Sequence, residues 1–147
     1  MRTPASIAGH PIHPMLVPLA IGLWIFSFVC DLTFVLGSGV SLWYTLSFWT
    51  MIGGIAGAVI AAIPGVIDML SLKGTPKKLA LTHMAINLTV VLLYAVNLGM
   101  RIGGDPVAGI PLALTIVSVS MLAVSGWIGG HMVYVHHVGV DDGNGKR

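Results

Sequence analysis

The feature of this sequence that most constrains its fold is a series of four long apolar segments. Turn-forming stretches separate them: GSGVS at 37–41, KGTPKK at 73–78 and GGDP at 103–106. About 20 apolar residues in a helix are enough to cross a hydrocarbon core of roughly 30 Å. We therefore predict a single domain over residues 1–147, an all-α antiparallel four-helix transmembrane bundle. Its predicted helices cover about 14–36, 43–71, 79–100 and 108–136, and a short polar tail covers 137–147.

The charge content supports a membrane protein rather than a soluble one. Charged residues make up 8% of the chain and hydrophobic residues 56%, whereas a soluble domain has about 25% charged residues. The net charge is +2, and the basic residues lie at the ends of the apolar segments, which is typical of topology signals and not of a nucleic-acid surface. The single cysteine, Cys30, excludes a disulfide or a thiolate cluster within one chain.

Alternation of the chain sorts the basic residues between the two ends of the bundle. We call the end that carries the N-terminus the histidine end and the opposite end the arginine end. Arg101 alone falls at the arginine end. We expect Asp31, near the same end, either to pair with Arg101 or to reach water, rather than to transport ions. Six basic residues fall at the histidine end: Arg2, Lys73, Lys77, Lys78, Lys146 and Arg147. The positive-inside rule then predicts that the histidine end and both termini are cytoplasmic.

All six histidines also fall at the histidine end. They are His10 and His13 before helix 1, His83 in helix 3, and His131, His136 and His137 at the close of helix 4. Asp68, near the end of helix 2, has a similar depth. We therefore expect the four helices to bring titratable groups to one layer.

Helical phase indicates which of these groups face the bundle. His83, Asn87, Tyr94 and Asn97 form one stripe on helix 3, and polar stripes of membrane helices face other helices. The face of Asp68 carries small residues suited to close packing: Thr50, Gly54, Gly57, Ala61 and Pro64. On a regular helix 4, His136 shares a face with Ser118, Ser125 and Gly129, and His131 lies about 140° away. This ranks His136 above His131 as an inward ligand.

The segment HPIHP predicts a non-helical start. A residue before proline is disfavoured in the α region, so we expect His10 and His13 to be extended. Polyproline II repeats every three residues and would place both imidazoles on one side.

Four ordered motifs resemble one family: HPIHPMLVPLAIG at 10–22, AIPGVIDML at 62–70, HMAIN at 83–87 and GWIGGHMVYVHHVGV at 126–140. It is a bacterial family of predicted four-helix membrane proteins, classed as a domain of unknown function, with some relatives fused to Rieske-type domains. The resemblance implies a bacterial inner-membrane location and a redox setting with a separate electron partner. Its pattern matches His10, His13, Asp68, His83, Asn87, Gly129, Gly130, Tyr134 and His136. Position 131 is variable in the pattern, and His137 stands where the family usually has glycine.

The histidine layer leaves three interpretations open. Haem b would use His13, His83 and His136 as candidate axial ligands, with Asn87 as an orienting partner. A transition-metal ion (Zn, Fe, Cu or Ni) would use imidazoles with one carboxylate, drawn from His10, His13, Asp68, His83, His136 and His131. Either cofactor suits membrane electron transfer or metal handling. The third interpretation is a cofactor-free accessory or scaffolding subunit of a larger membrane complex.

No catalytic residues are predicted, because the sequence has no GxxxxGK, GxSxG or HExxH motif and no nucleophile–base–acid set. Beyond the lipid bilayer, the partners we expect are a separate redox protein or a larger complex. The Gly53–Gly57 and Gly54–Ala58 spacings are compatible with a homodimer face, although packing within the chain explains them more simply.

Overall fold

A computed structural model of the protein describes residues 3–104 and 106–140. Four α-helices dominate the described chain: α1 Ile12–Thr33, α2 Ser41–Ser71, α3 Gly74–Ile102 and α4 Ile110–Tyr134. Two short strands, β1 Ser6–Ile7 and β2 His10–Pro11, precede α1. A π-helical turn, Phe34–Ser38, follows α1 and extends it. The predicted all-α four-helix architecture is confirmed.

Each helix is long and apolar enough to cross a membrane. The four candidate spans have 26, 31, 29 and 25 residues, all above the roughly 20 that a bilayer requires. Large apolar side chains such as Leu36, Leu92 and Trp127 are exposed on the outer surface. A soluble protein would present an aggregation-prone surface with such residues, whereas a lipid-embedded bundle does not.

The helices are arranged as two hairpins side by side. α1 packs along α2 and α3 along α4, while the two hairpins contact each other through fewer residues of α2 with α3 and of α1 with α4. The order round the bundle is therefore α1, α2, α3, α4, which leaves α1 and α3 on a diagonal. Side chains from these two helices meet near the bundle axis.

Small residues let α1 approach α2 closely. A Cβ at Gly54 would overlap the indole of Trp24, and a Cβ at Gly57 would lie 3.6 Å from the backbone of Ala20. The buried residues of α2 include Gly54, Gly57, Ala61, Pro64 and Asp68, so the predicted small-residue face is confirmed. Its partner is α1, which explains the face without a second copy of the chain.

The middle of the bundle is filled by an aromatic layer. Trp24 of α1 stacks on Tyr94 of α3, with ring centroids 4.6 Å apart and an interplanar angle of 7°. Met51, Val90 and Leu122 complete this buried cluster. The layer separates the polar groups at the histidine end from those at the arginine end.

Several helix boundaries differ from the prediction. α3 begins at Gly74 and takes in most of the KGTPKK segment, because Pro76 lies in its first turn, where the backbone N–H has no helical partner to lose. His13, which we expected to be extended, lies instead in the first turn of α1. Pro14 is in the same turn, where a proline again removes no helical hydrogen bond. His10 is extended, in β2, as predicted.

A β-hairpin that the sequence did not predict precedes α1. β1 and β2 are antiparallel, with Ile7 opposite His10. The two loop residues, Ala8 and Gly9, have φ of 51° and 80°, the combination that a type I′ hairpin loop requires. The usual signal for this loop is Asn-Gly or Asp-Gly, and Ala-Gly is a weak form of it.

Candidate functional site

Two imidazoles meet near the bundle axis at the histidine end. His13 comes from α1 and His83 from α3, the two helices on the diagonal. Their ring centroids are 6.3 Å apart and their planes are perpendicular. No hydrogen bond joins the two rings in the part of the chain that the structure describes. We call them the inner pair.

The ring of His13 is held by α2. Its Nδ1 lies 2.8 Å from the carbonyl oxygen of Ala61. A carbonyl can accept but not donate, so Nδ1 carries the proton and Nε2 of the neutral ring keeps its lone pair. One turn further along α2, a Cβ at Gly65 would lie 2.8 Å from this Nδ1. Glycine at 65 is therefore what leaves room for the imidazole.

The ring of His83 is held in the same way by α4. Its Nδ1 lies 3.0 Å from the carbonyl oxygen of Ser125 and 2.9 Å from the Ser125 hydroxyl. The Nδ1–H donates to the carbonyl, which again leaves the lone pair on Nε2. Gly129, one turn along, faces the ring, because a Cβ there would lie 3.4 Å from Cε1 of His83. All four helices thus contribute to the inner pair.

The hydrogen bonds of the inner pair match those of metal-ligating histidines. Such a histidine almost always donates its second ring N–H to a carbonyl, a carboxylate or water, which fixes the ring and its tautomer. A metal–imidazole bond is about 2.0–2.1 Å, so two imidazoles on opposite sides of one metal have ring centres roughly 6 Å apart. The inner pair has the donor type, the tautomer and a ring separation suited to a metal centre.

Asp68 serves a different contact. Its Oδ1 accepts the backbone N–H of Ala5 at 2.8 Å, and the residue is 9% exposed. The carboxylate therefore ties the N-terminal hairpin to the end of α2. His10, in that hairpin, is exposed, and its Nδ1 is 3.0 Å from the carbonyl oxygen of Ala8. The structure places neither residue against the inner pair.

Asn87 contacts the backbone of His83 rather than its ring. Its Nδ2 donates to the His83 carbonyl oxygen at 2.9 Å within α3. The prediction that the polar stripe of α3 faces the bundle is confirmed. Tyr94 and Asn97 are fully buried, and His83 and Asn87 are half-buried.

The two remaining candidate ligands form a second pair near the end of α4. His131 and His136 have ring centroids 5.3 Å apart, with His131 exposed and His136 half-buried. α4 ends at Tyr134, so the helical phase argument does not extend to His136. Within residues 3–104 and 106–140, no group of three or more His, Cys, Asp or Glu side chains is placed to hold one metal ion. The six predicted ligands are thus divided between two pairs and two separate residues.

The arginine end contains a buried ion pair, so the structure selects the first of the two alternatives expected for Asp31. Arg101 donates from Nη1 to Oδ1 of Asp31 at 2.9 Å and from Nη2 to Oδ2 at 2.6 Å. Both side chains have no exposed surface. A bidentate pair of this kind suits a desolvated position, because the guanidinium fork matches the two carboxylate oxygens.

Polar side chains from the other helices complete this network. Ser47 donates to Asp31 Oδ1 at 2.5 Å, and Arg101 Nε donates to Asn97 Oδ1 at 2.8 Å. Asn97 in turn donates to the Thr115 hydroxyl and to the Pro111 carbonyl, each at 2.8 Å. Each charged atom of the ion pair has a hydrogen-bond partner, so the network has the character of a structural lock.

Sequence reasoning missed the residues that hold the inner pair. Ala61 and Ser125 act through backbone carbonyls, and every residue has one, so neither carries a sequence signal for this role. Gly65 and Gly129 lie one helical turn, four residues, after Ala61 and Ser125 in the chain. Each accepting carbonyl is thus followed one turn later by the glycine that leaves room for the ring, although a glycine at this spacing does not by itself identify the carbonyl.

A family model described as "Predicted membrane protein (DUF2231)" matches residues 9–142 of the chain. Comparisons with curated proteins and with solved structures found no match. The matched segment contains both histidine pairs and the Asp31–Arg101 network, and the structure has four helices able to cross a membrane. The chain is a multi-pass membrane protein that belongs to this family of predicted membrane proteins.

Proposed function

We propose that the protein carries electrons in the membrane through a haem b whose iron is ligated by His13 and His83. One observation carries the proposal: two imidazoles from diagonal helices meet with each Nδ1 held by a backbone carbonyl, 2.8 Å from Ala61 and 3.0 Å from Ser125. This arrangement leaves two Nε2 lone pairs for a metal. A haem bound here would be held by the imidazoles of His13 and His83 and would supply one-electron Fe(II)/Fe(III) chemistry.

The number of ligands favours haem over a bare metal ion. A structural zinc site in a protein usually has four protein ligands and a catalytic one usually has three. The described residues supply two side chains at the inner pair and no third His, Cys, Asp or Glu placed with them. A porphyrin supplies the remaining four nitrogen ligands itself.

The two-hairpin architecture is compatible with a flat group between the imidazoles. His13 belongs to the first hairpin and His83 to the second. The hairpins contact each other less extensively than the helices within each hairpin do. Separating the hairpins at the histidine end therefore disturbs less packing than separating α1 from α2. With such a group bound, Ala61 of α2 and Ser125 of α4 would still orient the two imidazoles. The aromatic layer around Trp24 and Tyr94 lies next to the inner pair, toward the middle of the bundle.

Charge distribution supports a cytoplasmic position for the histidine end. Lys73, Lys77 and Lys78 lie at this end with exposed or half-exposed side chains, whereas Arg101 at the other end is buried in an ion pair. Exposed Lys and Arg are what the positive-inside rule counts. With the resemblance to a bacterial family, we place the protein in a bacterial inner membrane, with a separate redox protein as its electron partner.

Visible spectroscopy tests the proposal. The full chain is expressed with a haem precursor and with Fe, Zn, Cu and Ni supplied, purified in mild detergent, and measured oxidised and reduced together with its metal content. We expect one haem per chain, with a Soret band that shifts on reduction. His13→Ala and His83→Ala should each abolish bis-histidine ligation. His131→Ala and His10→Ala are matched controls from the same end of the bundle and should leave the spectrum unchanged.

The outcomes separate the alternatives. Stoichiometric metal without a Soret band, lost in His83→Ala, would replace haem by a bare ion and electron transfer by metal handling. Neither haem nor metal in a protein that elutes as a folded species would overturn the proposal and favour the cofactor-free accessory role.

A further inference from the structure

The second histidine pair, His131 and His136, differs from the inner pair in its surroundings. Its imidazoles are 5.3 Å apart at an interplanar angle of 76°, one exposed and one half-buried. In the described part of the chain, neither imidazole has a hydrogen-bond partner. Among the described residues, nothing occupies the nitrogens of either ring, so both can bind a ligand from solution. We call them the outer pair.

The backbone at the end of α4 holds the outer pair together. The N–H of Val135 donates to the carbonyl oxygen of His131 at 3.0 Å, which closes the last helical turn. His137 has φ of 52°, in the left-handed region, and turns the chain back. The N–H of Val138 then donates to the carbonyl oxygen of Met132 at 3.0 Å.

Apolar packing also holds this turn against the bundle. Val138 packs against a buried cluster at the histidine end, and Met132 belongs to that cluster. The residues on either side of His136 are thus fixed by a backbone hydrogen bond and by apolar contact. The outer pair is preorganised, so a ligand that uses both rings orders few additional groups on binding.

We propose that the outer pair is a second, solvent-accessible site for a divalent transition-metal ion such as Cu²⁺, independent of the inner pair. Two imidazoles on neighbouring coordination positions of one ion have ring centres roughly 5 Å apart, since each metal–nitrogen bond is about 2.0–2.1 Å. The observed 5.3 Å fits this arrangement. Water fills the other coordination positions. Cu²⁺ is the best probe because it is the most tightly bound divalent ion of the first transition series.

Copper titration of the full chain in detergent, followed by electron paramagnetic resonance, tests the site. We expect one Cu²⁺ per chain with hyperfine coupling to two imidazole nitrogens. Removing a residue that only hydrogen-bonds to a metal ligand typically lowers metal affinity by about 10–100-fold. His131→Ala and His136→Ala each remove a ligand itself, so each should lower the Cu²⁺ affinity at least as much. His10→Ala, which removes another exposed imidazole from the same end, should leave the affinity unchanged.

Variants of the inner pair separate this proposal from the proposed function. If His13→Ala and His83→Ala abolish the haem spectrum but keep the two-nitrogen copper signal, the two sites are independent. Unchanged copper affinity in both His131→Ala and His136→Ala would overturn the outer site whatever the haem result. Loss of the copper signal in His83→Ala would assign the copper to the inner pair and also overturn it.

Discussion

At the arginine end, Arg101 and Asp31 bond to each other and to Ser47 and Asn97 with no exposed surface. At the histidine end, His13 and His83 each use one ring nitrogen for a backbone carbonyl and keep the other free. Both ends place polar groups from several helices near the bundle axis. A polar cluster in which every charged group is paired contributes specificity to the fold, whereas one that retains lone pairs has capacity for a ligand.

The largest effect is expected from breaking the arginine-end network. Arg101→Ala leaves the Asp31 carboxylate buried without its counter-charge, and we expect it to lower the free energy of unfolding by about 3–5 kcal/mol. Denaturant titration of the protein in mixed micelles would measure the loss. The double variant Arg101→Ala/Asp31→Ala should lose less than the sum of the two single variants, because the charges act as a pair. A loss below about 1 kcal/mol for Arg101→Ala would mean that the network is not a structural lock.

The next largest effect is a difference in stability between alanine substitutions at two glycines beside the inner pair, Gly65 and Gly129. In Gly65→Ala the new Cβ would lie 2.8 Å from His13 Nδ1, so the ring must move away from Ala61. We expect a loss of about 1–2 kcal/mol in stability and weaker haem binding. In Gly129→Ala the new Cβ would be in ordinary contact with His83 at 3.4 Å. The helix gain of Ala over Gly, about 0.5–1 kcal/mol, should then leave that variant equally or more stable. Equal effects of the two substitutions on stability and haem binding would contradict this reading.

A smaller effect on stability is expected at Asp68. This residue lies at the histidine end, but its carboxylate already has a protein partner, as the Asp31 carboxylate does at the arginine end. Asp68→Ala removes the acceptor for the Ala5 N–H and should cost about 1–2 kcal/mol. Hydrogen exchange should show faster exchange at the Ala5 amide and across β1 and β2. Asp68→Asn keeps a carbonyl oxygen and should lose less. The Soret band of both variants should persist, and its loss would show that Asp68 also supports the inner pair.

The smallest expected effect is an increase in the stability of the β1–β2 hairpin, from a substitution in its loop. Ala8 has φ of 51°, a conformation that costs ordinary residues roughly 1–2 kcal/mol and that asparagine tolerates better. Ala8→Asn should therefore raise the stability of the hairpin by about 0.5 kcal/mol. Gly9→Ala, at φ of 80°, should have the opposite sign. The same hydrogen-exchange measurement checks both, and a shift of equal sign would contradict the loop assignment.

Periodicity predicted the parts of the molecule that follow from burial in a membrane. Tyr94 and Asn97 face the bundle, as helical phase indicated. Asp31 pairs with Arg101 rather than with water, because a polar group in apolar surroundings must find a protein partner. Gly54 and Gly57 also followed from their spacing, since close helix packing requires small residues.

The remaining features depend on backbone geometry that has no residue-type signature. The partners of His13 and His83 are carbonyl oxygens, and side-chain identity does not indicate which carbonyls will accept a hydrogen bond. The end of α4 at Tyr134 depends on a left-handed residue that is a histidine rather than a glycine. His131 and His136, on either side of this end, form the outer pair, apart from His13 and His83.

The pairing of Asp31 with Arg101 joins residues 70 positions apart in the chain. A ribosome adds about 5–20 residues per second, so Asp31 is made several seconds before its counter-charge. During that interval α1 can already pack on Gly54 and Gly57 of α2, whereas the Asp31 carboxylate has no basic partner within the first hairpin. The first hairpin is therefore inserted while Asp31 still lacks its basic partner. α3 then brings Arg101 and His83, and α4 completes the inner pair with Ser125 and Gly129. The two polar clusters of the bundle therefore form one after the other, as the second hairpin follows the first into the membrane.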